Sequence, residues 1–141
     1  MPARILVIED DPNTLELLTY LLTAFGHTVL TADNGIAGLA VARAERPDLI
    51  ACDIQLPQLD GLGVARALGA DPELSAIPLI AVTALSMVGD RESILTAGFD
   101  AYISKPIAPE TFVAQLDRYL PPALHARCAA MGQWPWRPSW L

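Results

Sequence analysis

Ile5-Leu6-Val7-Ile8, followed directly by Glu9-Asp10-Asp11-Pro12, is the stretch on which the fold turns. Four consecutive apolar residues make a strand buried on both faces, because a strand with one wet face alternates apolar and polar positions. Three acidic residues and a proline end that strand. Pro12 suits the first turn of a helix, where its missing N–H is no loss. A doubly buried strand running through an acidic turn into a helix is how a parallel α/β sheet begins.

The same alternation continues outward along the chain. Short apolar runs recur at Val29-Leu30, Leu49-Ile50-Ala51-Cys52, Leu79-Ile80-Ala81-Val82 and Ala101-Tyr102-Ile103. Helical spacing of apolar residues fills the intervals at Thr14 to Phe25, Gly35 to Ala44, Leu62 to Leu68 and Arg91 to Ala97, and closes the series at Pro109 to Leu120. Gly26 and Gly98 stand where helices should stop. The first, third and fourth strands are apolar at successive positions, as interior strands should be. Five parallel strands with five helices predict the flavodoxin-like doubly wound (βα)5 fold, in strand order 2-1-3-4-5.

Composition limits the function. The 141 residues fit one domain, and 52% hydrophobic against 18% charged residues describes a globular chain. A net charge of −7 argues against direct nucleic-acid binding, which needs basic patches. No apolar run reaches the ~18 residues of a membrane span, and no signal-peptide pattern opens the chain. Cys52 and Cys128 form neither a disulfide framework nor zinc-ligand spacing, so a reducing cytoplasm is the expected setting.

In this fold, ligands bind beyond the carboxyl ends of the strands where strand order reverses, between strands one and three. Glu9-Asp10-Asp11 ends strand one and Asp53 ends strand three. Clustered carboxylates must share protons, stay solvated or hold a cation, and oxygen-only donors suit a hard ion such as Mg²⁺. Thr83-Ala84 ends strand four, and Lys105-Pro106 ends strand five. Lys105 is the only lysine among nine basic residues. Acids for a metal, a lone carboxylate, a hydroxyl and an ammonium suit phosphoryl transfer to Asp53.

Blander readings apply to several neighbours. Asp11 and Asp60 read as helix caps or turn residues, Tyr102 as a strand aromatic, and His27 as an edge residue with no acid or base partner near it in sequence. Gly61-Leu62-Gly63 does not follow a strand, which rejects a dinucleotide loop.

With Glu9-Asp10-Asp11-Pro12, Asp53-Ile54-Gln55-Leu56-Pro57, Asp60-Gly61, Thr83-Ala84 and Lys105-Pro106 in this order and spacing, the chain resembles the response-regulator receiver domains of two-component signalling from about Arg4 to Leu120. Within that family it is most similar to single-domain cell-cycle regulators and hybrid-kinase receivers. The resemblance implies that Asp53 is the phosphoacceptor. It implies an Mg²⁺ ion held by Asp10 and Asp53, by Glu9 through water and by the Gln55 carbonyl. Thr83, Ala84 and Lys105 would contact the phosphoryl group, Thr83 and Tyr102 would switch conformation, and the Lys105–Pro106 bond would be cis. The implied partners are a histidine kinase or histidine phosphotransfer protein as donor and a downstream protein effector as receiver.

Rival chemistries fit less well. A haloacid-dehalogenase-like phosphatase needs a second acid two residues after its aspartate, where Gln55 stands, so a turnover enzyme is not expected. A flavin phosphate would meet Glu-Asp-Asp after strand one, negative against negative. The expected organisation is a receiver domain over 1–120 and a tail over 121–141 with no effector domain. The tail carries all three tryptophans, Trp134, Trp136 and Trp140, interleaved with Pro135 and Pro138. That pattern is either a docking segment, able to make a homodimer, or a disordered end.

Overall fold

The computed structural model of the chain describes residues 3–84 and 88–120. Its elements run β1 (Arg4–Ile8), α1 (Pro12–Ala24), β2 (Thr28–Ala32), α2 (Gly35–Glu45), β3 (Leu49–Cys52), α3 (Gly61–Ala70), β4 (Leu79–Thr83), α4 (Val88–Ala97), β5 (Ala101–Ser104) and α5 (Pro109–Asp117). All strand pairings are parallel, in the order β2-β1-β3-β4-β5. The fold class is the one expected. The tail at 121–141, with the docking or homodimer role expected of it, lies outside the described residues.

Strand periodicity builds two cores. Successive side chains of a strand point to opposite faces. Ile5 and Val7 of β1, Leu49 and Ala51 of β3, and Ile80 and Val82 of β4 face α1 and α5, where they meet Leu18, Leu22, Phe112 and Leu116. Their neighbours Leu6, Ile8, Ile50, Cys52, Leu79 and Ala81 face the other way, against Leu39, Val64, Leu68 and Ile94 of α2, α3 and α4. The three central strands are thus buried on both sides, whereas β2 and β5 are edges with exposed positions.

Several boundaries differ from the apolar pattern for a common reason: backbone bonding, not hydrophobicity, ends an element. β2 reaches beyond Val29-Leu30 to Thr28 and Ala32 because β1 pairs with all five residues. α1, α3 and α4 begin upstream of their first expected residue, and side-chain caps account for the first two. The Asp11 carboxylate accepts from the Asn13 N–H and the Thr14 hydroxyl, and Asp60 accepts from the Gly63 N–H at 2.8 Å. α5 stops at Asp117, and a turn carries the chain to Leu120. Gly26 (φ +89°) and Gly98 (φ +123°) take the left-handed conformation that releases the chain from α1 and α4.

His27 leads into the edge strand β2 yet is buried, 4% exposed, at the sheet end opposite the acidic turns. Its Nδ1 accepts the N–H of buried Ala3 at 3.0 Å, and its Nε2 lies 3.5 Å from Asp117 Oδ1 on α5. The acid partner exists, ninety residues away in sequence (27 to 117), where local reading cannot find it. His27→Leu would leave the buried Ala3 N–H without this acceptor, at a cost of about 1–3 kcal/mol. The urea midpoint should fall accordingly, and an unchanged midpoint would discard this role.

Candidate functional site

Four strand ends converge on one crevice because each is fastened to its neighbour just beyond the regular pairing. The Glu9 N–H donates to Ala32 O at 3.0 Å, the Asp53 N–H to Ile8 O at 2.9 Å, and the Lys105 N–H to Thr83 O at 2.8 Å. The second of these bonds sets Asp53 alongside Glu9. One oxygen each from Glu9, Asp10 and Asp53 lies within 4.8 Å of the others. The acids expected to meet do meet.

Burial divides their roles. Glu9 is 2% exposed and Asp53 8%, while Asp10 faces water. Lys105 Nζ binds Glu9 Oε1 in a very short ion pair and Asp53 Oδ2 at 3.0 Å. Asp53 Oδ1 accepts the Gln55 N–H at 3.3 Å, and Glu9 Oε2 accepts the Asp10 N–H at 3.1 Å. Burial pushes the Glu9 carboxyl up to about 7, and Asp53 beside it pushes the same way while Lys105 pulls it down. Burial opposes the charge on Lys105, but its bonds to Glu9 and Asp53 outweigh that and hold it above the usual lysine value. The thiol of Cys52, adjacent to Asp53, is pushed up by burial and is chemically quiet.

Thr83 ends β4 and is 1% exposed, with exposed Ala84 after it. Tyr102 pairs across from Ala81 and packs, half-buried, against the core on the α2–α4 side. Gln55 is exposed in the β3–α3 connection. The Lys105–Pro106 peptide is cis. The direct tie between Lys105 and Glu9 was missed by sequence reading; the one signal for it was a single lysine at the end of the strand farthest in the chain from strand one. Gly61 was also undervalued. A Cβ there would lie 2.3 Å from Asp53 O, so only glycine lets the connection fold back against the strand end.

The oxygen-only donor set, with one acid open to water, suits a hard divalent cation that keeps part of its hydration shell. The chain is 44% identical over 120 residues to the polar-differentiation response regulator DivK of Brucella anthropi, covering 85% of this chain and 98% of that one. The receiver domain of a signal transduction histidine kinase from Syntrophus aciditrophicus superposes with a TM-score of 0.78 at 33% identity, covering 84% and 89% of the two chains. A sensor histidine kinase receiver domain from Pseudomonas aeruginosa, solved with a magnesium ion in its active-site cleft, gives 0.79 at 33% identity, over 84% of this chain and 98% of that one. The response regulator receiver domain model matches residues 5–117. A strand order, an acidic crevice and a sequence match that agree over this length make the chain a member of the response regulator receiver domain family, the receiving half of two-component signalling.

Proposed function

We propose that Asp53 accepts a phosphoryl group from a histidine kinase or histidine phosphotransfer protein, in a reaction that needs Mg²⁺. The observation that carries this reading is Asp53 held between two other carboxylates and a single ammonium at one sheet edge. Asp53 attacks phosphorus, the bond from phosphorus to the donor's nitrogen or acyl oxygen breaks, and the donor leaves with that electron pair. Glu9, Asp10, Asp53 and the Gln55 carbonyl would hold the ion, which when bound offsets charge on the phosphoryl oxygens. Lys105 and Thr83 would take the remaining oxygens, with the Ala84 backbone beside them. The residues that perform this lie within 1–120.

A phosphoryl group adds roughly −1.5 to −2 of charge at neutral pH. Drawing Thr83 and Lys105 toward it biases β4, β5 and the flanking helices between two arrangements, and Tyr102 reports that bias to a downstream protein effector. Among the described residues no helix is long and apolar enough to cross a membrane.

The test is incubation with a small acyl phosphate followed by intact-mass measurement. One phosphoryl group per chain is expected with Mg²⁺, and none after chelation. Repeated turnover without retained label, or label in the presence of chelator, contradicts the proposal. The pH dependence has a definite sign. Glu9 holds a proton below about 7, so a cation must displace it there, and Mg²⁺ affinity should rise as pH passes upward through 7. Calorimetry in buffers of different ionisation enthalpy should show proton release near pH 7; equal affinity at pH 6 and 8 would discard this role for Glu9.

A further inference from the structure

We propose that Gly35, at the start of α2, is a positioning residue for the metal-binding connection between β3 and α3. The inference rests on the reading above, in which the Gln55 carbonyl and the three carboxylates hold Mg²⁺.

That connection leaves Asp53, turns at Gln58 with φ +68° and re-enters helix at Gly61. Gln55, Pro57, Gln58 and Asp60 are exposed, while Ile54 is buried and Leu56 and Leu59 are half-buried against the core on that side. Backbone bonds from Leu59 N–H to Pro57 O and from Gly61 N–H to Ile54 O, both 2.8 Å, give it a shape. Leu59, the half-buried anchor nearest α3, sits in a notch between two glycines of different helices.

The two walls of the notch differ. A Cβ on Gly35 would lie 1.9 Å from the Leu59 carbonyl oxygen and 2.8 Å from its carbonyl carbon. A Cβ on Gly63 would meet the Leu59 side-chain tip, Cδ1, at 2.5 Å. The first collision is with backbone, the second with the far end of a flexible side chain. Gly35 has no left-handed φ, so the glycine supplies space there, not conformational freedom. Within a helix that space has a cost, since alanine is ordinarily the better residue by roughly 0.5–1 kcal/mol.

Relief of a Gly35→Ala clash must come from the connection, not the helix. α2 is held on the sheet by buried Leu39 and Ala42, and Gly38 lies so close to Ile8 that a Cβ there would be 2.4 Å from Ile8 Cδ1. The exposed connection has less to hold it. Displacing Leu59 pulls on Gln55 upstream and on the close approach of Gly61 to Asp53 O. Neither Gly35 nor Leu59 supplies a ligand, so what changes is the placement of those that do.

The experiment is Mg²⁺ titration by calorimetry on the full chain, paired with thermal melts of the metal-free protein. Gly35→Ala should melt cooperatively near the wild-type temperature and bind Mg²⁺ about tenfold more weakly, the scale on which residues behind the ligands act. Gly63→Ala should bind nearly as wild type does. A folded Gly35→Ala with unchanged Mg²⁺ affinity overturns the inference, and so does a Gly63→Ala that weakens binding equally. If Gly35→Ala fails to fold, Leu59→Ala decides: it empties the notch without a clash and should weaken Mg²⁺ binding, and an unchanged affinity rejects the positioning role. Absence of Mg²⁺ binding in the wild type defeats the parent reading and this inference with it.

Discussion

Asp53→Asn should take no phosphoryl label from an acyl phosphate under conditions that label the wild type fully. The substitution is nearly isosteric, and its chemistry is what fails. An amide carries no anionic oxygen to attack phosphorus, and its NH2 would face Lys105 Nζ, donor against donor, where Asp53 Oδ2 now accepts at 3.0 Å. Asn Oδ1 can still accept the Gln55 N–H, so the connection to α3 keeps its anchor. Lys105 keeps Glu9 as its partner, and Glu9 loses a neighbour that was pushing its carboxyl up. The variant should therefore fold and melt much as the wild type does while remaining unlabelled. Label retained on folded Asp53→Asn would place the acceptor on another carboxylate, with exposed Asp10 the first to examine, and would falsify the assignment of Asp53.

The contrast between what could and could not be read from the sequence follows the range of the interactions. The doubly buried strands showed in Ile5 to Ile8, Leu49 to Cys52 and Leu79 to Val82, because burial on two faces leaves a run with no polar interruption. From the strand count came the order, and from the order the meeting of Glu9 and Asp10 with Asp53, before any coordinate. The caps at Asp11 and Asp60 were legible because a cap is a local bond. Contacts between distant segments that leave no periodic trace were not legible. His27 and Asp117 are one such pair, and the Lys105–Glu9 bond is another. The seating of Leu59 against Gly35 is a third, since a glycine that supplies space reads the same in sequence as one that supplies a turn. The switch roles proposed for Thr83 and Tyr102 came from resemblance, because a threonine and a tyrosine in strands are ordinary strand residues.

Lys105→Met should slow phosphoryl acceptance by about 10²- to 10³-fold, the loss expected when one preorganised donor facing developing charge is removed. Two effects would contribute, and they separate experimentally. Lys105 pulls the Glu9 carboxyl down, against both burial and Asp53. Without the ammonium, Glu9 should hold its proton to a pH above 7, and Mg²⁺ affinity at neutral pH should fall. That part is recovered by raising pH and saturating with metal. The rest is not, because methionine fills the side chain's volume but offers the phosphoryl oxygens neither a hydrogen bond nor a charge. Acceptance measured at pH 8 with saturating Mg²⁺ isolates this second part. A variant whose rate then returns to the wild-type value would show that Lys105 only tunes the acid cluster. A deficit that persists at saturation, with the melting curve still cooperative, assigns its ammonium to the phosphoryl group itself. The geometry favours the deficit. Nζ already spans both buried carboxylates, 3.0 Å from Asp53 Oδ2, so a group arriving on Asp53 appears within reach of a cation that has no need to move far to meet it.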